Sequence, residues 1–168
     1  MTPNIARLAR RSLLGALLAL ATGCTPTFSA PPGFVELDPA GSHDFRAVTA
    51  DGLVIAGREI DNDPGGDLAF WTRAVEHQMR FRGGYALLEK RPVKNRAGEA
   101  GIELRFEHDE GKTPHLYYVA LFVKGDWIYV VEAGGTRELV QKGERQIAWA
   151  TENVRMDCSS LPRLFRCL

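Results

Sequence analysis

Three cysteines in 168 residues are too few for a disulfide-stapled scaffold. A formal charge of zero, 21 basic against 21 acidic side chains, leaves no cationic excess with which to hold a nucleic acid. None of Ser29, Ser42, Ser159 and Ser160 stands in a Gly-x-Ser-x-Gly segment, which excludes the nucleophile elbow of a serine hydrolase. His77, in Val75-Glu76-His77-Gln78-Met79, lacks the second histidine that a zinc-protease helix requires and reads as a surface residue beside Arg73. The apolar run that begins at Leu13 is about ten residues long, half of what a bilayer of about 30 Å demands of a spanning helix. What remains, 45% hydrophobic and 25% charged residues with no repeat, describes one ordinary globular domain.

The ends of the chain differ from its body. Arg7, Arg10 and Arg11 precede an uncharged stretch from Ser12 to Ala21, the order of a basic n-region and a short h-region. Ala21-Thr22-Gly23-Cys24 then resembles the bacterial lipobox, in which small residues admit the peptidase and the cysteine thiol receives a diacylglyceryl group. That resemblance implies a signal peptide over 1–23 and a lipidated N-terminus at Cys24, the only cofactor-like group expected being this covalent lipid. Two or three acyl chains at roughly 0.8 kcal/mol per buried methylene make a stable anchor, where one chain does not. The competing reading is a plain secretory signal cleaved near Ala19 or Ala21. Removing three arginines and no acid leaves a slightly acidic body with no electrostatic reason to lie flat on anionic lipid. Residues 24–33, rich in proline, read as a flexible tether. Arg10-Arg11-Ser12-Leu13-Leu14 fits the core of a twin-arginine signal as well as a plain n-region. Thr25, where an inner-membrane retention signal has Asp, resembles an outer-membrane address facing the periplasm.

With Cys24 consumed by lipid, Cys158 and Cys167 form an even pair in an oxidising compartment. A disulfide is favoured over a metal or redox pair, since no histidine lies near and the spacing is not Cys-x-x-Cys. Closing about ten residues contributes roughly 2–3 kcal/mol, mostly to ordering the tail 156–168.

Between these ends, 34–155 reads as a single α+β domain. Phe34 to Leu37, Phe45 to Thr49 and Leu53 to Ile60 alternate in polarity, with Ala50-Asp51-Gly52 as a hairpin turn. From Asp67, an N-cap residue, Leu68, Trp71, Val75 and Met79 recur at helical spacing until Gly83-Gly84. Four strands follow: Tyr85 to Val93, Ile102 to His108, His115 to Val123 and Trp127 to Ala133. The third is apolar on both alternating faces and must be covered above and below. Thr136 to Arg155 supplies a second helix, interrupted at Gly143. An antiparallel β-sheet flanked by one helix on each face satisfies this burial pattern.

Hairpin, helix, four strands and helix is similar to the element order of the PsbP-like fold. That fold is shared by the photosystem II extrinsic subunit, the Ran-binding Mog proteins and the DcrB-type envelope lipoproteins. Asp67-Leu68-Ala69-Phe70-Trp71 and Tyr117-Tyr118-Val119-Ala120-Leu121-Phe122 stand where that family has its helix and central strand. The resemblance implies a non-catalytic binding or chaperone-like role toward another envelope protein.

Two classes of function follow. The first is a membrane-anchored binding or assembly module that meets its partner through a sheet edge or an exposed aromatic such as Trp127, Tyr129 or Trp149. The second is a metal-dependent enzyme or sensor built on the loop 61–67 with His43 or His108. Asp61 and Asp63 are candidate calcium ligands in it, yet the twelfth position of a calcium hand here is Thr72 and Asp67 is spent on the helix cap. His108 and His115 face each other across a hairpin as a two-histidine candidate, short of the usual three or four ligands. Lys90 and Arg91 project to opposite faces of one strand and so form no phosphate site.

Overall fold

The computed structural model describes residues 27–156. Three strands open the chain: β1 (Val35–Leu37), β2 (Phe45–Val48) and β3 (Val54–Asp61). Helix α1 (Leu68–Phe81) follows, then β4 (Ala86–Lys94), β5 (Ala100–Glu110), β6 (Thr113–Lys124) and β7 (Trp127–Thr136), and last α2 (Arg137–Lys142) and α3 (Glu144–Glu152). The strands form one sheet in the order β1-β2-β3-β7-β6-β5-β4, every pairing antiparallel. Two-residue turns join β5 to β6 and β6 to β7, and each needs a residue at positive φ, supplied by Gly111 (67°) and Gly125 (58°).

Alternation along the strands sorts the side chains into two layers. On one face Phe45, Ile55, Tyr118, Phe122, Tyr129 and Val131 pack against Val140 and Ile147 of the C-terminal helices. On the other, Leu104, Phe106, Val119, Leu121, Ile128 and Val130 receive the stripe Leu68, Trp71, Val75 and Met79 of α1. The strand side chains named here are fully buried and contribute about 1.5–3 kcal/mol each, while the α1 stripe is partly buried. β6 lies third from the β4 edge and is covered on both faces, which is why its sequence carries no polar alternation through Ala120, Leu121 and Phe122.

α1 begins as its sequence dictates: Asp67 Oδ1 accepts the Phe70 amide at 2.6 Å. The second helical segment is divided at Gly143, where an added Cβ would stand 2.1 Å from Leu53 Cδ2. The φ of −91° there is open to any residue, so the glycine is required for space.

Two expectations are corrected. The segment read as a tether is packed from Thr27 onward: Phe28 is 8% exposed and stacks on Phe45, and Thr27 Oγ1 donates to Glu59. An apolar ring that can reach Gly57, where no Cβ intervenes, gains more by burial than by remaining in water. Tyr129, read as an exposed aromatic, is 1% exposed, because β7 is an interior strand whose faces are both covered; Trp127 and Trp149 are half-buried. Cys24, Cys158 and Cys167, with the lipidation and disulfide expected of them, lie outside the described residues.

Candidate functional site

α1 packs over β4, β5 and β6 and leaves the β1–β3 side of its face open. β1 and β2 bring Val35 and Leu37 opposite Val48 and Arg46 on that open side. Val35 is 65% exposed and Leu37 38%. β2 and β3 continue the face with Val54 and Ala56, and β7 adds Glu132 beside Ala56 and Gly134 beside Val54. Small residues at Ala56 and Gly134 leave a hollow of about 620 Å³, walled by Tyr117, His43, Arg46 and Glu132. A narrower apolar cavity of about 330 Å³ runs under α1, between Trp71 and Met79 above and Ile128 and Val130 below, and meets the first at Glu132.

Glu132 is 5% exposed and is held by three donors from three elements. Arg58 Nη2 of β3 donates at 2.6 Å, and His43 Nε2 of the β1–β2 loop lies 2.9 Å from the other carboxylate oxygen. The Tyr117 hydroxyl of β6 completes the set; burial and then the adjacent Glu132 carboxylate push its ionisation well above the usual 10.0. His43 Nδ1 stands 3.3 Å from the Ala40 carbonyl, which orients the ring toward Glu132.

Half-buried arginines elsewhere in the described residues are also neutralised. Arg91 and Arg105 both reach Glu103, which is 1% exposed, at 2.9 and 2.7 Å. Arg46 alone of this group has no acid within ion-pair distance among the described residues. It projects from the middle of the open face, beside the hollow.

The residues expected to carry chemistry are distributed otherwise. Asp61 ends β3, Asp63 is exposed in the following loop, and Asp67 caps α1. The amide of that loop is structural: Asn62 Oδ1 accepts from Gly66 N at 2.8 Å and from Trp71 Nε1 at 2.7 Å. His108 and His115 do pair across β5 and β6. They sit at the far end of the sheet, about 30 Å along β6 from the acidic loop, so the two sets cannot share an ion. His108 rests on the Tyr85 ring at 4.9 Å, and His115 Nε2 lies 3.5 Å from Glu110. Among the described residues no three His, Cys, Asp or Glu side chains converge as metal ligands. Lys90 and Arg91 diverge as expected, Lys90 to Glu76 and Arg91 to Glu103. His77 is exposed beside Phe81. Of the cavity's charged residues, sequence reasoning named only His43. The signal for Glu132 was a carboxylate inside the apolar run Ile128 to Ala133; the signal for Arg58 was its place after Val54-Ile55-Ala56-Gly57.

An antiparallel seven-stranded sheet with α1 on one face and the C-terminal helices on the other is a PsbP-like fold. LpqN of Mycobacterium tuberculosis, involved in cell envelope biogenesis, superposes with a TM-score of 0.55 at 11% identity, over 74% of this chain and 78% of its own. The cyanobacterial PsbP of Synechocystis sp. PCC 6803 gives 0.51 at 8%, over 75% and 83%. The Saccharomyces cerevisiae Ran-binding protein Mog1p gives 0.50 at 16%, over 76% and 83%. Identities this low establish a shared fold and nothing finer. No protein-family model matches the chain, and no curated protein matches it in sequence. Among the described residues no helix is long and apolar enough to cross a membrane.

Proposed function

We propose that this protein is a non-catalytic binding module of the bacterial cell envelope, anchored through lipid on Cys24, that engages another envelope protein through the open half of the α1 face. One observation carries the reading: among the described residues, Val35, Leu37 and a half-buried, unneutralised Arg46 share a concave sheet face that no helix covers. An apolar patch around a central arginine and a tyrosine has the composition of a protein-interface core. Two proteins of the same fold point the same way: LpqN is described by envelope biogenesis and Mog1p by binding Ran. The lipobox supports the envelope location, and the pattern at Thr25 favours the outer membrane.

A photo-crosslinking residue placed in turn at Val35, Leu37, Glu138 and Arg145 of the full-length protein tests this in intact cells. The last two are exposed on the C-terminal helices. Discrete adducts at 35 and 37 with none at 138 and 145 are expected. Adducts from the helical face alone, or none from 35 and 37, overturn the assignment of the surface.

A further inference from the structure

Deepening that reading, and resting on it, the geometry points to a carboxylate as the group the partner must present: the open face is a recognition site for an aspartate or glutamate side chain flanked by apolar residues, with Arg46 as its receptor. Charge bookkeeping in and around the hollow supports this. Glu132 is already held by Arg58, His43 and Tyr117, so the carboxylate inside the site is spent. Arg46 contributes the positive charge left over. One free guanidinium matches one carboxylate in two parallel hydrogen bonds. A doubly charged phosphate fits worse, because only one cation is uncommitted and Glu132 stands in the same wall.

The surroundings strengthen the pairing. Arg46 emerges between Leu37 of β1 and Ala56 of β3; of its diagonal neighbours, Val35 and Val54 offer apolar contact, while Arg58 is paired with Glu132. A carboxylate arriving with apolar neighbours would cover these, exclude water from the ion pair and raise its worth above that of an exposed bridge. Among the described residues this half-buried charge has no ion-pair partner, an arrangement that serves folding poorly and binding well.

The test adds the blocked tripeptide acetyl-Val-Glu-Val-amide to the ¹⁵N-labelled full chain and follows it by NMR. Acetyl-Val-Gln-Val-amide serves as the neutral match and inorganic phosphate as the other anion. The glutamate peptide is expected to shift the Arg46 side-chain Nε–H and the backbone amides of Leu37 and Val54. The glutamine peptide should bind about tenfold more weakly, the scale of one charge-assisted pair. Arg46→Gln should lose the same factor, Arg46→Lys should lose part of it, and the melting temperature of Arg46→Gln should equal or exceed that of the wild type. Equal response to both peptides overturns the inference. So does phosphate binding at Arg46 as strong as the peptide's, a response spread over exposed arginines such as Arg73 and Arg145, or a lowered melting temperature in Arg46→Gln. Failure here is separable from failure of the wider reading: adducts at Val35 and Leu37 that persist in Arg46→Gln keep the docking surface and refute the carboxylate.

Discussion

A carboxylate that is 5% exposed costs several kcal/mol to desolvate unless donors surround it, and Glu132 meets that cost with Arg58, His43 and Tyr117. Removing it strands Arg58, whose Nε is already buried without a partner, beside an unpaired phenol. Glu132→Ala is therefore expected to cost about 3 kcal/mol in a urea titration, the lower end for a broken buried pair because Arg58 keeps 31% of its side-chain surface. Glu132→Gln, which retains an acceptor, should cost less. Tyr117 supplies a pH test. Its ionisation is raised in the folded protein, so below the usual 10.0 its contribution is complete; as pH rises above that value the unfolded chain sheds a proton that the folded chain keeps. Wild-type stability should fall with pH between about 9 and 11 more steeply than that of Tyr117→Phe. Parallel curves for the two proteins would contradict the burial of this phenol against Glu132.

Helix α1 shows what a local pattern can and cannot disclose. Its stripe, cap and stop were all legible, because each depends on residues within a turn or two of one another. Trp71 illustrates the consequence: it packs on the sheet's apolar layer and donates its indole N–H to Asn62. Trp71→Asp is expected to cost about 3–5 kcal/mol, read as a collapse of the thermal midpoint or loss of soluble protein; an unchanged midpoint would place the wrong face inward. Strand existence was legible for the same local reason, and so was the double cover of β6. The pairing of β3 with β7 was not, since it joins residues 66 to 80 positions apart through backbone hydrogen bonds that no side-chain pattern encodes. The cluster of His43, Arg58, Tyr117 and Glu132 follows from that pairing and stayed hidden with it. Tyr129 was misplaced on the surface for lack of the same strand order. The bound on the tether failed differently: prolines excluded a regular element over 25–33 but did not prevent Phe28 from finding a vacancy over Gly57.

For the whole molecule, the packing of Thr27 changes how an anchor would act. Only Thr25 and Pro26 separate it from Cys24, a reach of about 10 Å, so a lipidated chain would hold its body against the bilayer. A partner would then have to reach the open face within the same membrane's surface layer. Cys24→Ala is expected to move the protein from the detergent-rich to the aqueous phase with its thermal midpoint unchanged; retention in the detergent phase would argue against lipid on that sulfur. The central claim is that the uncovered β1–β3 face, and no other, holds a partner protein. Native electrophoresis of gently solubilised membranes tests it most directly, comparing Leu37→Asp with Arg145→Asp. Leu37 is 38% exposed and Arg145 is exposed, so both variants should fold. The wild type and Arg145→Asp are expected to migrate in a complex larger than the lone protein, while Leu37→Asp migrates alone. A complex that survives Leu37→Asp, or one lost equally in Arg145→Asp, would contradict that claim.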